Sequence, residues 1–271
     1  IGCGDLGTSI GTALAAEGWR VFGVRRHPPA QTPFPQVAID VLANPQALRA
    51  LPAPDFVVYT VTPPQRTVEA YRAVYDTAVQ AVLKELPATL SRFLLVSSTG
   101  VYAQQQGEWL DESSPAQPAG FSGQALLAGE QHVLASGLPA TVVRLSGIYG
   151  PGRHRLIERA RSGAPVVQNP PDWTNRIHRD DAVGFLAQLL RMSHAGASLH
   201  ALYLGTDDEP VTEWDVMCFI HHALDLPPPM PVTGGEDQNK RLRNDRLQQS
   251  GYKLRFPTFR EGYGDMIRRL S

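Results

Sequence analysis

At 271 residues, 42% hydrophobic and 19% charged, the chain suits one large α/β domain or a nucleotide domain with a smaller lobe. A net charge of −1 leaves no basic footprint for nucleic acid, and no stretch nears the ~20 apolar residues that span a bilayer. Two cysteines, Cys3 and Cys218, exclude a disulfide scaffold and are too few for a structural zinc site, so the composition favours the cytoplasm.

A glycine-rich turn opens the chain, and the spacing predicts a helix over 8–18 that stops at Gly18. Short apolar runs at 19–24 and 37–39 read as strands, and FVVYTV at 56–61 reads as a buried one. Between 65 and 86 the apolar residues Val68, Tyr71, Val74, Tyr75, Ala78, Val79, Val82 and Leu83 fall at helical spacing, which predicts one long amphipathic helix. Strands at 93–96 and 140–145 flank a helix at 121–135. This alternation predicts a parallel sheet covered on both faces, that is, a Rossmann-type doubly wound α/β fold.

After Gly150 the pattern loosens. Helices are expected at 153–162, 180–192 (capped by Asp180 or Asp181), 212–224 and 258–270, with a further sheet strand at 201–204. The proline clusters HPPAQTPFP and LPPPMP read as ordered loops. The expected division is a dinucleotide domain of 1–150 plus 178–205 and a small C-terminal substrate lobe of 151–177 plus 206–271.

Gly2, Gly4 and Gly7 fit G-x-G-x-x-G, and a helix follows at once. The first glycine permits the tight turn, the second lets a pyrophosphate approach the backbone, and the third lets helix and strand pack. The free N–H groups of the helix start, on Asp5, Leu6 and Gly7, favour an anion. After the next strand, where a carboxylate would hold a ribose 2′-hydroxyl, the chain carries Arg25 and Arg26. Guanidiniums suit a 2′-phosphate, so NADP is the expected cofactor, with NAD the alternative. Asp40, after the third strand, is either a contact for the adenine edge or a turn residue. Thr60 and Ser97, at the ends of later strands, complete the expected cofactor set. A Rossmann unit also needs an apolar first strand before the turn; only Ile1 stands there, so that strand is expected upstream.

VSSTGVY at 96–102, WLDESSP at 109–115, RLSGIYGPGR at 144–153 and NRIHRDDAV at 175–183 follow in order. With them the chain resembles the extended short-chain dehydrogenase/reductases, the NAD(P)-dependent epimerase/dehydratase group. The likeness is strongest to an atypical branch that opens with GCGDLG and ends much as residues 239–263 do here. The resemblance implies oxidoreductase, epimerase or dehydratase chemistry on a small, anionic, sugar-nucleotide-like ligand. It also implies a tyrosine acid/base with a lysine four residues on, and a strand-end hydroxyl that holds the substrate oxygen. Ser98 matches that hydroxyl, with Thr99 beside it. Phe121 and Ala125 stand where the tyrosine and lysine belong, so the usual acid–base pair is absent from the sequence; a positioned general acid or base is worth ~10²–10⁴ in rate. Tyr102 is the substitute proton donor to test, and Tyr149 is expected as packing. The alternative is a non-catalytic module that senses NADP(H).

His178 and Asp180 form an H-x-D pair, which the resemblance assigns to structure rather than to a metal. Arg153, Arg176 and Arg241, with Phe121 and Thr99, are the expected substrate contacts. The expected partner is a small molecule; a homodimer is compatible with the sequence, whereas nucleic acid and membrane are not expected.

Overall fold

In the computed structural model, which describes residues 1–234 and 239–270, helix and strand alternate from the start. The first stretch holds α1 (Asp5–Ala16), β1 (Gly23–Arg25), β2 (Gln36–Ala38), β3 (Phe56–Tyr59), α2 (Val68–Tyr71), α3 (Ala78–Glu85), β4 (Arg92–Ser98), β5 (Glu108–Leu110), α4 (Phe121–Leu134) and β6 (Ala140–Leu145). Then come β7 (Gly147–Tyr149), α5 (Arg155–Arg161), β8 (Val166–Asn169), β9 (Trp173–Thr174), β10 (Arg176–His178), α6 (Arg179–His194) and β11 (Leu202–Gly205). The chain ends with β12 (Val211–Thr212), α7 (Glu213–Ala223), β13 (Pro231–Thr233), β14 (Lys240–Leu242), α8 (Asp245–Gln249) and α9 (Phe259–Arg268).

Two units result. The first comprises Ile1–Tyr102, Ala116–Arg144 and Val183–Tyr203; the second comprises Ala103–Pro115, Leu145–Ala182 and Leu204–Ser271, described up to residue 270 and without 235–238. The main sheet has four parallel strands in the order β11-β6-β4-β3. Its strands are apolar on both faces: Phe93, Leu94, Leu95, Val142 and Val143 are fully buried, as a parallel sheet covered on both sides requires. β1 and β2 form a separate parallel pair. The backbone of residues 1–3 spans the gap between β1 and β3: the Gly2 N–H donates to Val24 O at 2.8 Å, and the Thr60 N–H donates to Ile1 O at 2.9 Å. A cavity of about 560 Å³ lies beside this stretch, lined by Ile1, Cys3, Val24, Phe56, Val58 and Leu190 among others. No helix among the described residues is long and apolar enough to cross a membrane.

Several expected elements change in detail. The run at 19–24 is a strand only from Gly23, where pairing with Gln36 of β2 begins; ahead of it Trp19 packs its ring on Phe56 and His194, at 5.3 and 5.0 Å between centroids. The single helix expected at 65–86 is α2 and α3 joined by a π-helical segment, Arg72–Thr77. At this segment α4 comes close: a Cβ on Gly129 would sit 2.5 Å from Tyr75 O. α6 starts at Arg179, so Asp180 and Asp181 lie inside its first turn and neither is the cap. The Asp181 carboxylate instead accepts from the backbone N–H groups of Arg255 and Phe256 and from the Tyr252 hydroxyl.

The second unit differs from the expected lobe chiefly by including residues 103–115. β5 pairs in parallel with β14, Glu108 opposite Lys240, and that ladder ties the segment to the C-terminal part of the chain. The unit is otherwise built from strand pairs of two to four residues around a core of Tyr149, Ile157, Val166, Met217, Ile220 and Phe259. α9 is fixed at its start by a capping box between Thr258 and Glu261.

Candidate active site

The glycine turn has the geometry that its spacing demands. Gly2 takes a φ of +90°, and a Cβ there would sit 2.5 Å from Val61 N. Gly7 faces the turn from α1; a Cβ would meet Gly2 O at 2.7 Å and Thr60 Oγ1 at 2.8 Å. Around Gly4 the nearest such atom is Gly2 O at 4.0 Å, so the backbone there stays open to a ligand. Asp5 is exposed at the first position of α1, followed by the half-buried Leu6. The N–H groups of Leu6 and Gly7 belong to the first turn, which has no intrahelical acceptors for them. Thr60 serves the turn: its hydroxyl donates to Gly2 O at 2.8 Å.

Arg25 closes β1 and donates from Nη1 to Cys3 O at 2.8 Å, which anchors its guanidinium beside the glycine turn. Arg26 is exposed and forms no ion pair among the described residues. Asp40 Oδ1 accepts from the Leu42 N–H at 2.9 Å, the geometry of a turn residue.

At the end of β4 the two serines diverge. Ser97 is buried and donates to Glu130 Oε1 at 2.5 Å, so its side chain belongs to the interior. Ser98 caps the short turn Thr99–Val101, accepting from the Gly100 N–H at 3.1 Å, and is only half-buried. Among the described residues its hydroxyl donates to no partner. Thr99 is buried within that turn.

Tyr102 is 2% exposed, and its hydroxyl accepts from Arg144 Nη1 at 2.8 Å. Arg144 in turn grips Glu130 of α4 through Nε and Nη2, at 3.0 and 2.6 Å. Burial opposes the arginine's charge, but the hydrogen bonds and charge of Glu130 outweigh it and hold the guanidinium pKa above its ordinary value. Phe121 begins α4 and meets the Tyr71 ring edge-on at 5.5 Å; Ala125, one turn on, is buried. No residue of α4 is a tyrosine or a lysine.

In the second unit the expected cations have three fates. Arg153 is exposed. Arg176 is buried, donates to Thr174 Oγ1 and lies over the Phe259 ring, so it faces the unit's interior. Arg241 donates from Nε to Gly107 O at 2.7 Å and lies between Trp109 and Trp173. Tyr149 packs on Tyr263 with 4.6 Å between ring centroids. His178 Nδ1 accepts from the Asp180 N–H at 3.2 Å, and burial lowers its pKa below the ordinary imidazole range. Sequence reasoning overlooked Trp109 and Trp173; the tryptophan beside the WLDE acids was the available signal.

A parallel α/β sheet with a glycine turn at a helix start and cations after the next strand defines a Rossmann-type protein. The chain matches the RmlD substrate binding domain family over residues 2–270 and belongs to it; it is an atypical extended short-chain dehydrogenase/reductase. It is 34% identical to a solved protein from Methylobacillus flagellatus, whose own assignment to the NAD-dependent epimerase/dehydratases is provisional; the match covers 99% of this chain and 96% of that one, with a TM-score of 0.85. It is 29% identical to protein YeeZ of Escherichia coli K12 over 72% of this chain and 73% of YeeZ. At 21% identity it shares its fold with MoeE5, solved with UDP-glucose and NAD, over 99% of this chain and 97% of that one, with a TM-score of 0.79.

Proposed function

We propose that this protein binds NADP(H) and acts on a small anionic ligand of the sugar-nucleotide type, within the chemistry of the epimerase/dehydratase group. The observation that carries the cofactor reading is the glycine turn with Arg25 anchored on Cys3 O and Arg26 exposed beside it. Gly4 and the α1 start would receive the pyrophosphate, and Arg26, with the free nitrogens of Arg25, the 2′-phosphate. When bound, the nicotinamide supplies or accepts a hydride. MoeE5, which shares the fold, was solved with NAD; in this chain Arg25 and Arg26 favour the phosphorylated cofactor.

Ser98 is the group assigned to the substrate oxygen, since among the described residues its hydroxyl accepts from the Gly100 N–H and donates to no partner, whereas that of Ser97 donates to Glu130. Tyr102 is assigned to the Arg144 cluster rather than to proton transfer. Arg153 remains the exposed substrate contact of the second unit.

Fluorescence titration is expected to show NADPH binding tighter than NADH, with Arg26→Ala weakening NADPH about tenfold and leaving NADH unchanged, the scale of one charge-assisted contact. Tighter NADH overturns the arginine argument, and failure of both cofactors removes the reading. A nucleotide-sugar panel then tests turnover, which Ser98→Ala is expected to abolish. Cofactor binding without turnover across the panel identifies a sensing module instead.

A further inference from the structure

On the second unit, β5 and β14 run in parallel with Arg241 directly opposite Trp109. The Arg241 guanidinium lies 4.9 Å from the ring centre of Trp109 and 4.9 Å from that of Trp173, while Arg243 lies 5.1 Å from that of Trp109. The four side chains form a ladder, Trp173–Arg241–Trp109–Arg243, in which cation and aromatic ring alternate.

The ladder is held at its inner end and open at its outer one. Arg241 Nε donates to Gly107 O, the Gly107 N–H donates to Asn239 O at 2.8 Å, and the Trp173 N–H donates to Asn239 Oδ1 at 2.9 Å. Gly107 has a φ of +74°, and a Cβ there would sit 3.3 Å from Trp173, so the inner rung needs glycine. At the outer end Trp109 is 47% exposed and Arg243 is exposed. Among the described residues neither Arg241 nor Arg243 forms an ion pair, and Glu108 turns its carboxylate back to the Gln106 N–H at 2.8 Å. A large exposed indole flanked by two guanidiniums that form no ion pair among the described residues matches a ligand with a flat ring and a phosphate together. The indole offers a stacking surface, and the guanidiniums offer paired donors to phosphate oxygens.

We propose that this ladder docks a nucleoside phosphate, its base against the exposed indole of Trp109 and its phosphate on Arg243 and the terminal nitrogens of Arg241. The proposal deepens the sugar-nucleotide reading above and rests on it for the source of the nucleotide. It assigns recognition to Trp109 and Arg243, outside the residues expected from the sequence.

Calorimetry with UMP, uridine and inorganic phosphate, in the presence of saturating NADPH, tests it on the intact protein and on Trp109→Ala, Trp109→Phe and Arg243→Ala. These positions are exposed, and a thermal melt checks each fold. UMP is expected to bind more tightly than uridine or phosphate. Trp109→Ala and Arg243→Ala are each expected to weaken UMP about tenfold, and Trp109→Phe to retain most of the affinity, as a stacking contact predicts. UMP affinity unchanged in both alanine variants overturns the proposal, as does phosphate that binds as well as UMP, which would mark an anion site only. If NADPH fails to bind while UMP keeps its dependence on Trp109, the cofactor reading falls and the ladder stands. If nucleotide sugars turn over but neither alanine variant affects them or UMP, the ladder falls and the function stands.

Discussion

Two buried arginines, one in each unit, face carboxylates in opposite ways. Arg144 holds Glu130 through two nitrogens and Tyr102 through the third, and Ser97 adds a donor to the same carboxylate. Among the described residues Arg176 has a buried Nη1 without a hydrogen-bond partner, and both carboxylate oxygens of its neighbour Asp207 also lack one. The two arginines are equally hidden, each at 5% exposure. Burial alone therefore does not decide whether a charge is stabilised; hydrogen-bond closure does. The first cluster is a finished structural joint between α4 and the main sheet. The second stays electrostatically open.

The largest expected effect tests the closed cluster. Glu130→Ala leaves the Arg144 charge buried and unpaired, which should cost about 3–5 kcal/mol, or roughly 10 °C in melting temperature for a chain of this size. Changing both partners together to apolar residues (Arg144→Met with Glu130→Leu) should recover most of that loss, because neither charge is then stranded. Denaturant melts of the single and double variants check this. A double variant as unstable as the single one would mean that packing, not charge pairing, holds the joint.

The same contrast shows what the sequence could carry. The glycine turn was legible because its demands are local: Gly2 needs its left-handed φ and Gly7 its close approach within a few residues of each other. The main strands were legible because a parallel strand buried on both faces is near-continuously apolar. The placement of 103–115 was not, because β5 finds its partner β14 some 130 residues later and three-residue strands have no periodicity to read. Nor was the fate of the hydroxyls. Ser97 and Ser98 look equivalent in VSSTGVY, and only the pleat of β4 sends one inward to Glu130 and leaves the other at the turn. Arg144 within the apolar ATVVRL strand was the one warning of a buried ion pair, since a charge in such a strand needs a partner.

An intermediate effect separates structure from chemistry at the closed cluster. Tyr102→Phe removes the acceptor of Arg144 Nη1 and should cost on the order of 1.5 kcal/mol, the worth of a hydrogen bond to a charged group. If Tyr102 is structural, any turnover found should keep its pH profile in this variant. A lost alkaline or acid limb would return Tyr102 to the proton-transfer role.

The smallest effect tests the open cluster, and its sign depends on pH. Burial raises the Asp207 carboxyl pKa well above its ordinary value; the Arg176 charge and the Glu209 backbone amide offset only part of this. The folded state thus keeps a proton on Asp207 at pH values where the unfolded chain, with an ordinary carboxylate pKa of about 3.9, has lost it. Stability from this group is present below the unfolded pKa and is lost as pH rises from there toward the folded pKa. Asp207→Asn keeps the shape and removes the titration, so it should be close to neutral at pH 4 and stabilising at pH 7, by on the order of 1 kcal/mol. Chemical denaturation at the two pH values measures this. A variant less stable than the parent at pH 7 would show that Asp207 is ionised against Arg176, and that the second cluster is an ion pair like the first.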